Sequence, residues 1–297
     1  MFIKSRKINK HRILFRRTIK SSGVIKGIGL HSGESIKLIF HPADEREGLF
    51  FIKKSKLETS VLPVDLEHVI DTSMAVTLGN NKYHIQTVEH LMYSIYVLGI
   101  TDMAIEIQGS SEMPVLDGSA KPYIDFFEGL EFHEYSTEVK PIIIDKPVMV
   151  TDGNRYIVAR PHNNLRISYH IDYPHPMLKK KSIELDYDEV FFKEKIASAR
   201  TFGFLKEVEL LKKNGLAKGG STENALVFTG DGTLNDSRFD GEPIYHKILD
   251  LIGDLALIGR PIIGHILGSR GGHALDVAFG KKLLEAVKTK STKKAIA

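Results

Sequence analysis

One stretch constrains this chain more than any other: "EPIYHKILDLIGDLALIGRP", residues 242–261. Ile244, Ile248, Leu249, Leu251, Ile252 and Leu255 predict a helix buried on most sides. Pro243 suits its first turn, and Gly259 before Arg260-Pro261 suits its end. Within it His246, Asp250 and Asp254 recur every four residues, and positions i and i+4 stack on one helix face. A polar stripe on a buried helix costs several kcal/mol unless it is paired. Any fold of this chain must bring partners or an ion to that stripe.

The rest of the chain predicts how. From Thr18 to about Glu131, strands come first: "SIKLIFHPA", "GLFFIKK" and "MAVTLG" alternate or run apolar between turn signals. A helix is expected at "VEHLMYSIYVLG", capped by Thr87 and stopped by Gly99. A strand "DMAIEIQG", a loop "SSEMPVLDGSAKP" and a helix from about Tyr123 to Gly129 follow. The polar, aperiodic "EFHEYSTEVKP" reads as a boundary. Beyond it the order repeats, with strands at "KPIIID", "PVMVTD", "RYIVARP" and "LRISYHIDY", then helices and strands, and a last helix near 274–289. Strands segregated from helices favour α+β over a doubly wound sheet. The expectation is two similar two-layer α+β domains, 16–135 and 136–297, preceded by a basic arm, 1–15.

Charge narrows the partners. Lys and Arg total 41 against 37 acids, but eight of those bases and no acid lie in residues 1–20. The tail from Lys281 adds six bases and one acid, which leaves 27 bases against 36 acids in residues 21–280. Nucleic-acid binding usually needs basic charge on a folded face, so nucleic acid is not an expected partner. The arm reads as a solvated segment, with weak contact to an acidic membrane surface as its functional alternative. No run approaches a transmembrane span, and the first twenty residues lack the apolar core of a secretory signal. An organellar transit peptide stays open for that acid-free arm. The chain has no cysteine, so any metal must be held by His, Asp and Glu, and a cytoplasmic location is compatible with this.

His246 and Asp250 form His-x-x-x-Asp, which lets two ligands on adjacent turns meet one ion, and both are good zinc ligands. Alone, such a pair is more often a structural hydrogen bond; the apolar setting and Asp254 weaken that reading. A third ligand is available in "QTVEHLMYS", where Glu89 and His90 open an apolar helix. Adjacent helical residues point about 100° apart, so one would ligate while the other reaches the metal's water. The helix N-terminus and a nearby zinc are both expected to depress the Glu89 pKa. "GSRGGHALDVAF" places His273 after two glycines, suited to act as general acid for a leaving amine, with Asp254 to orient it. In "SARTFGF", Thr201 could hydrogen-bond an oxyanion, and Phe202 and Phe204 could cover a sugar or acyl chain. Each of these residues also has an ordinary structural reading.

Together, "GVIKGIGLHSGE", "TVEHLMYSIYVLGI", "EMPVLDGSAKPY", "SARTFGF", "GLAKGGS", "HKILDLIGDLALIGRPIIG" and "GGHAL" resemble the zinc-dependent UDP-3-O-acyl-N-acetylglucosamine deacetylases of lipid A biosynthesis. The resemblance runs from about residue 16 through nearly the whole chain. It implies hydrolysis of the N-acetyl group of UDP-3-O-acyl-N-acetylglucosamine by water, releasing acetate. It implies zinc (Zn2+) on His90, His246 and Asp250, Glu89 as base, His273 supported by Asp254 as acid, and Thr201 on the tetrahedral intermediate. Lys247, Phe202 and Phe204 would bind substrate. It also implies two α+β domains packed with their helices inward, and a monomer is expected. Two alternatives remain at this point: a zinc amidohydrolase for another N-acylated sugar, and a catalytically silent protein that uses the metal structurally or binds the nucleotide lipid without turning it over. A structural site normally has four protein ligands, whereas three are found here.

Overall fold

The computed structural model describes residues 14–55 and 58–295. The basic arm, and with it the expected membrane contact, lies outside these residues except at 14 and 15. The first half runs β1 (Phe15–Ile19), β2 (Gly23–Ile28), β3 (Ser35–Pro42), β4 (Leu49–Lys54) and β5 (Thr59–Pro63), then the short β6 (Val69–Asp71), β7 (Thr77–Gly79) and β8 (His84–Gln86). Helix α1 (Glu89–Leu98), β9 (Met103–Gly109), α2 (Lys121–Gly129) and β10 (Phe132–Glu138) complete it. In β3 alternation decides the buried face: Ile36, Leu38 and Phe40 point inward. Phe40 meets Phe126 and Phe127 of α2 at ring-centroid distances of 5.3 and 5.0 Å, which seats that helix on the sheet.

The second half runs β11 (Ile142–Ile143), β12 (Val148–Asp152), β13 (Arg155–Arg160), β14 (Leu165–Ile171) and β15 (Lys181–Asp186), then the single turn α3 (Glu189–Phe191). After it come β16 (Phe202–Phe204), α4 (Leu205–Lys213), β17 (Leu226–Phe228), α5 (Glu242–Ala256), β18 (Ile262–Ser269) and α6 (His273–Ala295). Helices and sheets thus segregate as an α+β fold. The main sheet of the first half has the order β2-β3-β9-β4-β5, and that of the second β12-β13-β18-β14-β15. Along that order in both, only the third and fourth strands are parallel and the rest antiparallel; β11 adds a sixth strand to the second sheet, parallel to β18. The two halves therefore repeat one sheet topology without a visible sequence repeat.

The polar segment 131–141 contains β10, which pairs antiparallel with β1. One local expectation is corrected. Thr87 does not cap α1: its backbone is left-handed (φ 64°), Val88 is the N-cap with no side-chain cap bond, and the Thr87 hydroxyl is buried without a partner. Gly99 does stop the helix, in a left-handed conformation (φ 66°) with its N–H bonded to Ile95 and Tyr96 carbonyls.

Helices α1 and α5 are buried nearly all round, only Tyr96 and Tyr245 escaping, and they pack against one another. Helix α6 packs on α5 and on β12 and β13. The polar stripe of α5 therefore lies in the core, where helices from the two halves of the chain meet. Loops tie the halves together beside it: Thr201 N–H donates to Gly118 O, and Lys218 N–H to His31 O.

Candidate active site

The first turn of α1, the stripe of α5 and the start of α6 converge on one cleft. Its lining includes Thr87, Glu89, His90, Thr201, His246, Asp250 and His273, together with His31, Met74 and Tyr123. The approach of α1 to α5 depends on Gly253: an added Cβ would run into the Glu89 carbonyl oxygen and lie 2.9 Å from its carbon. Glycine there lets the two backbones close.

His90, His246 and Asp250 each offer one ligand atom, and these lie within 4.8 Å of one another. His246 Nε2 is 3.3 Å from Asp250 Oδ1, and His90 Nε2 is 3.8 Å from the same oxygen. Ligands at about 2.0–2.1 Å on a tetrahedral ion stand about 3.3 Å apart, so the set fits zinc with small adjustment. The other ring nitrogen of His246, Nδ1, lies 3.0 Å from the Ala199 carbonyl. Donation there leaves Nε2 with its lone pair toward Asp250. Burial pushes the His90 imidazole down to about 3, helped by His246, and lowers His246 too, so both rings are neutral. Burial alone would raise Asp250, but its neighbours His246, Lys247, His273 and His90 together outweigh it and hold its carboxyl below the usual range. Neutral imidazoles and an ionised carboxylate are the forms that bind a divalent metal.

Glu89 sits beside this triad with Oε2 accepting from Val76 N–H at 3.1 Å. In the site without an ion, burial pushes the Glu89 carboxyl up to about 7, against the pull of His273 and with help from Asp254 and Asp250. In a dry site desolvation outweighs a helix terminus. His273 Nε2 stands 3.8 Å from Glu89 Oε1, and His273 Nδ1 bonds Asp254 Oδ2 at 2.8 Å. Burial disfavours the imidazolium, but Asp254 and Glu89 together raise His273 to about 10. A carboxylate suited to accept a proton thus faces an imidazolium suited to give one.

The remaining expected residues fall around this centre. Asp254 is wholly buried behind His273 and does not line the cleft. Lys247 is buried too, its ammonium 2.6 Å from Asp250 Oδ2. Phe202 and Phe204 lie outside the lining, in an aromatic cluster with Tyr173 and Phe228; the Phe202 ring is 6.2 Å from that of His246.

Two groups were not singled out from the sequence. Arg200 and Glu242 form a buried pair at 2.9 Å that ties the segment before Thr201 to the start of α5. Asp276 is wholly buried with neither carboxyl oxygen bonded. Glu242 reads as an ordinary first-turn acid, and Asp276 as a surface charge; only burial separates them from that.

Residues 16–285 match the family described as UDP-3-O-acyl N-acetylglycosamine deacetylase. The chain belongs to that deacetylase family. It is 44% identical over 277 residues to the UDP-3-O-acyl-N-acetylglucosamine deacetylase of Leptospira biflexa serovar Patoc, covering 93% of this chain and 91% of that protein. The proteins of that name from Thermodesulfovibrio yellowstonii (43% over 275 residues, 91% of this chain and 92% of that one) and Myxococcus xanthus (39% over 271, 91% and 86%) are also similar. Among the described residues, no helix of this deacetylase family member is long and apolar enough to cross a membrane.

Proposed function

We propose that this protein hydrolyses the N-acetyl group of UDP-3-O-acyl-N-acetylglucosamine, releasing acetate, as a zinc-dependent step of lipid A biosynthesis in the cytoplasm. The observation that carries the reading is the placement of Glu89 and His273, 3.8 Å apart, beside the three-ligand set His90, His246 and Asp250. Zinc bound there would supply a Lewis acid and lower the pKa of its water toward 7. Glu89 takes a proton from the attacking water as oxygen adds to the amide carbon. Thr201 donates a hydrogen bond to the developing oxyanion. His273, held by Asp254, protonates the nitrogen as the C–N bond breaks, leaving a free amine and acetate.

Other residues prepare the site. Lys247 holds Asp250 Oδ2 and so keeps Oδ1 toward the metal side. From that position it adds positive charge near bound substrate. Phe202 and Phe204, with their aromatic neighbours, offer an apolar surface to the sugar and the acyl chain. The same reading divides the chain into domains 16–135 and 136–297, supported by the repeated strand order, and takes it as a monomer. The test is acetate release and metal content of Glu89→Gln. Retained zinc with turnover reduced about 100-fold or more is expected for loss of a general base. Undiminished turnover would remove Glu89 from that role.

A further inference from the structure

On the cleft side, His273 has partners; behind it, polar atoms are left over. Asp254 gives Oδ2 to His273 and keeps Oδ1 buried without a partner. Asp276, one helical turn beyond His273 on α6, leaves both oxygens unbonded, and the buried hydroxyl of Tyr169 from β14 has no partner either. A Cβ at Gly271 would lie 2.8 Å from Tyr169 Oη and 3.2 Å from Asp276 Oδ1, so hydroxyl and carboxyl look into one space. Ligating atoms of Asp254, His273 and Asp276 fall within 4.8 Å of one another. Buried oxygens are rarely left unsatisfied, and four in one place call for a shared proton, a water or an ion.

Two carboxyls this close and out of water do not both ionise; the pair holds a proton between them. Asp254 is kept charged by the imidazole it faces, which leaves the proton to Asp276. We propose that Asp276 is a positioning residue: as the neutral acid it donates to Asp254 Oδ1, directly or across one buried water, and so fixes Asp254 Oδ2 against His273 Nδ1. The groups facing Asp276 are Lys247, Asp250 and Asp254 from α5, Tyr169 from β14 and His273 on its own helix. Burial, with Asp254 and Asp250, raises its carboxyl well above the usual range despite Lys247 and His273. The Tyr169 hydroxyl is then free to donate to the second oxygen of Asp276.

Because this role presupposes the deacetylase reading, the test pairs kinetics with a measurement that needs no substrate. Asp276→Asn supplies a neutral donor of the same shape; Asp276→Leu and Asp276→Ala supply none. The His273 Nδ1 proton is followed by NMR in each zinc-loaded, full-length variant, and kcat and KM are measured against pH. Asp276→Asn is expected to keep the Nδ1 signal and a near-native kcat. Asp276→Leu and Asp276→Ala are expected to lose the signal and about 10- to 100-fold in kcat, with KM little changed, the range for losing a hydrogen bond to a charged group. Their plateau should fall while the alkaline limb does not move to lower pH, since an unsupported Asp254 takes the proton from the imidazolium without changing the number the pair holds.

Asp276→Asn as impaired as Asp276→Leu would overturn the proposal, because charge would then matter rather than donation. Native kinetics and an unaltered Nδ1 signal in Asp276→Ala would overturn it too, as would a second tightly held zinc per chain that Asp276→Asn abolishes. If the wild type releases no acetate, the deacetylase reading fails, and the Nδ1 signal still decides whether Asp276 positions the pair.

Discussion

Gly253 of α5 lies directly against the backbone of Glu89 in α1, so that a Cβ at 253 would come within 3.2 Å of the Glu89 Cα and collide with its carbonyl. The proposed base is therefore placed by a missing side chain on the neighbouring helix. Gly253→Ala should push the first turn of α1 away from α5. Overpacking of this kind costs about 1–3 kcal/mol in stability. A shift of about 1 Å at the reacting groups can cost about 100-fold in rate. Thermal unfolding and acetate release check both; a variant with native turnover would separate the helix contact from the placement of Glu89.

The Asp254–His273 contact sets a pH window. With His273 raised to about 10 from its ordinary 6.5, the contact stabilises the fold fully below about 6.5 and loses that effect as pH climbs through 10. The same proton serves the proposed acid, so activity should fall on the alkaline side only as His273 deprotonates. Asp254→Asn leaves burial as the main influence on the ring and lowers its pKa. The alkaline limb of kcat/KM should then move down by about two pH units or more. An unmoved limb in Asp254→Asn would assign it to another group.

Arg200 and Glu242 should prove structural in origin and functional in effect. Glu242 also accepts from the Arg200 and Arg238 backbone N–H groups, so its carboxylate organises the loop that leads to Thr201. Removing one partner of a buried pair leaves an uncompensated charge, at a cost of about 3–5 kcal/mol. Glu242→Ala should lower the urea midpoint accordingly, and a change below about 1 kcal/mol would show that the pair is not needed.

Much of the centre was legible in the sequence because it lies on regular elements. The period of α5 placed His246, Asp250 and Asp254 on one buried face, and the alternation of β3 and β14 matches their inward residues. Illegible were contacts between distant segments. Nothing in "SARTFGF" announces that Ala199 O meets His246 Nδ1 47 residues later, or that Gly253 marks a helix crossing. Thr87 misled because a cap needs extended backbone, and this residue instead turns left-handed with its hydroxyl inward. β10 was missed because an edge ribbon buries too little to impose apolar periodicity.

In the proposed reaction His90, His246 and Asp250 hold a zinc ion at which the N-acetyl group is hydrolysed. The most direct measurement is acetate release from UDP-3-O-acyl-N-acetylglucosamine by protein as purified, stripped by chelator, and restored with one equivalent of zinc. His246→Ala is carried through the same steps. Activity should vanish on stripping and return with zinc in the wild type, while His246→Ala should neither retain the metal nor recover. No acetate from folded, zinc-loaded wild type, or full zinc occupancy in His246→Ala, would contradict it.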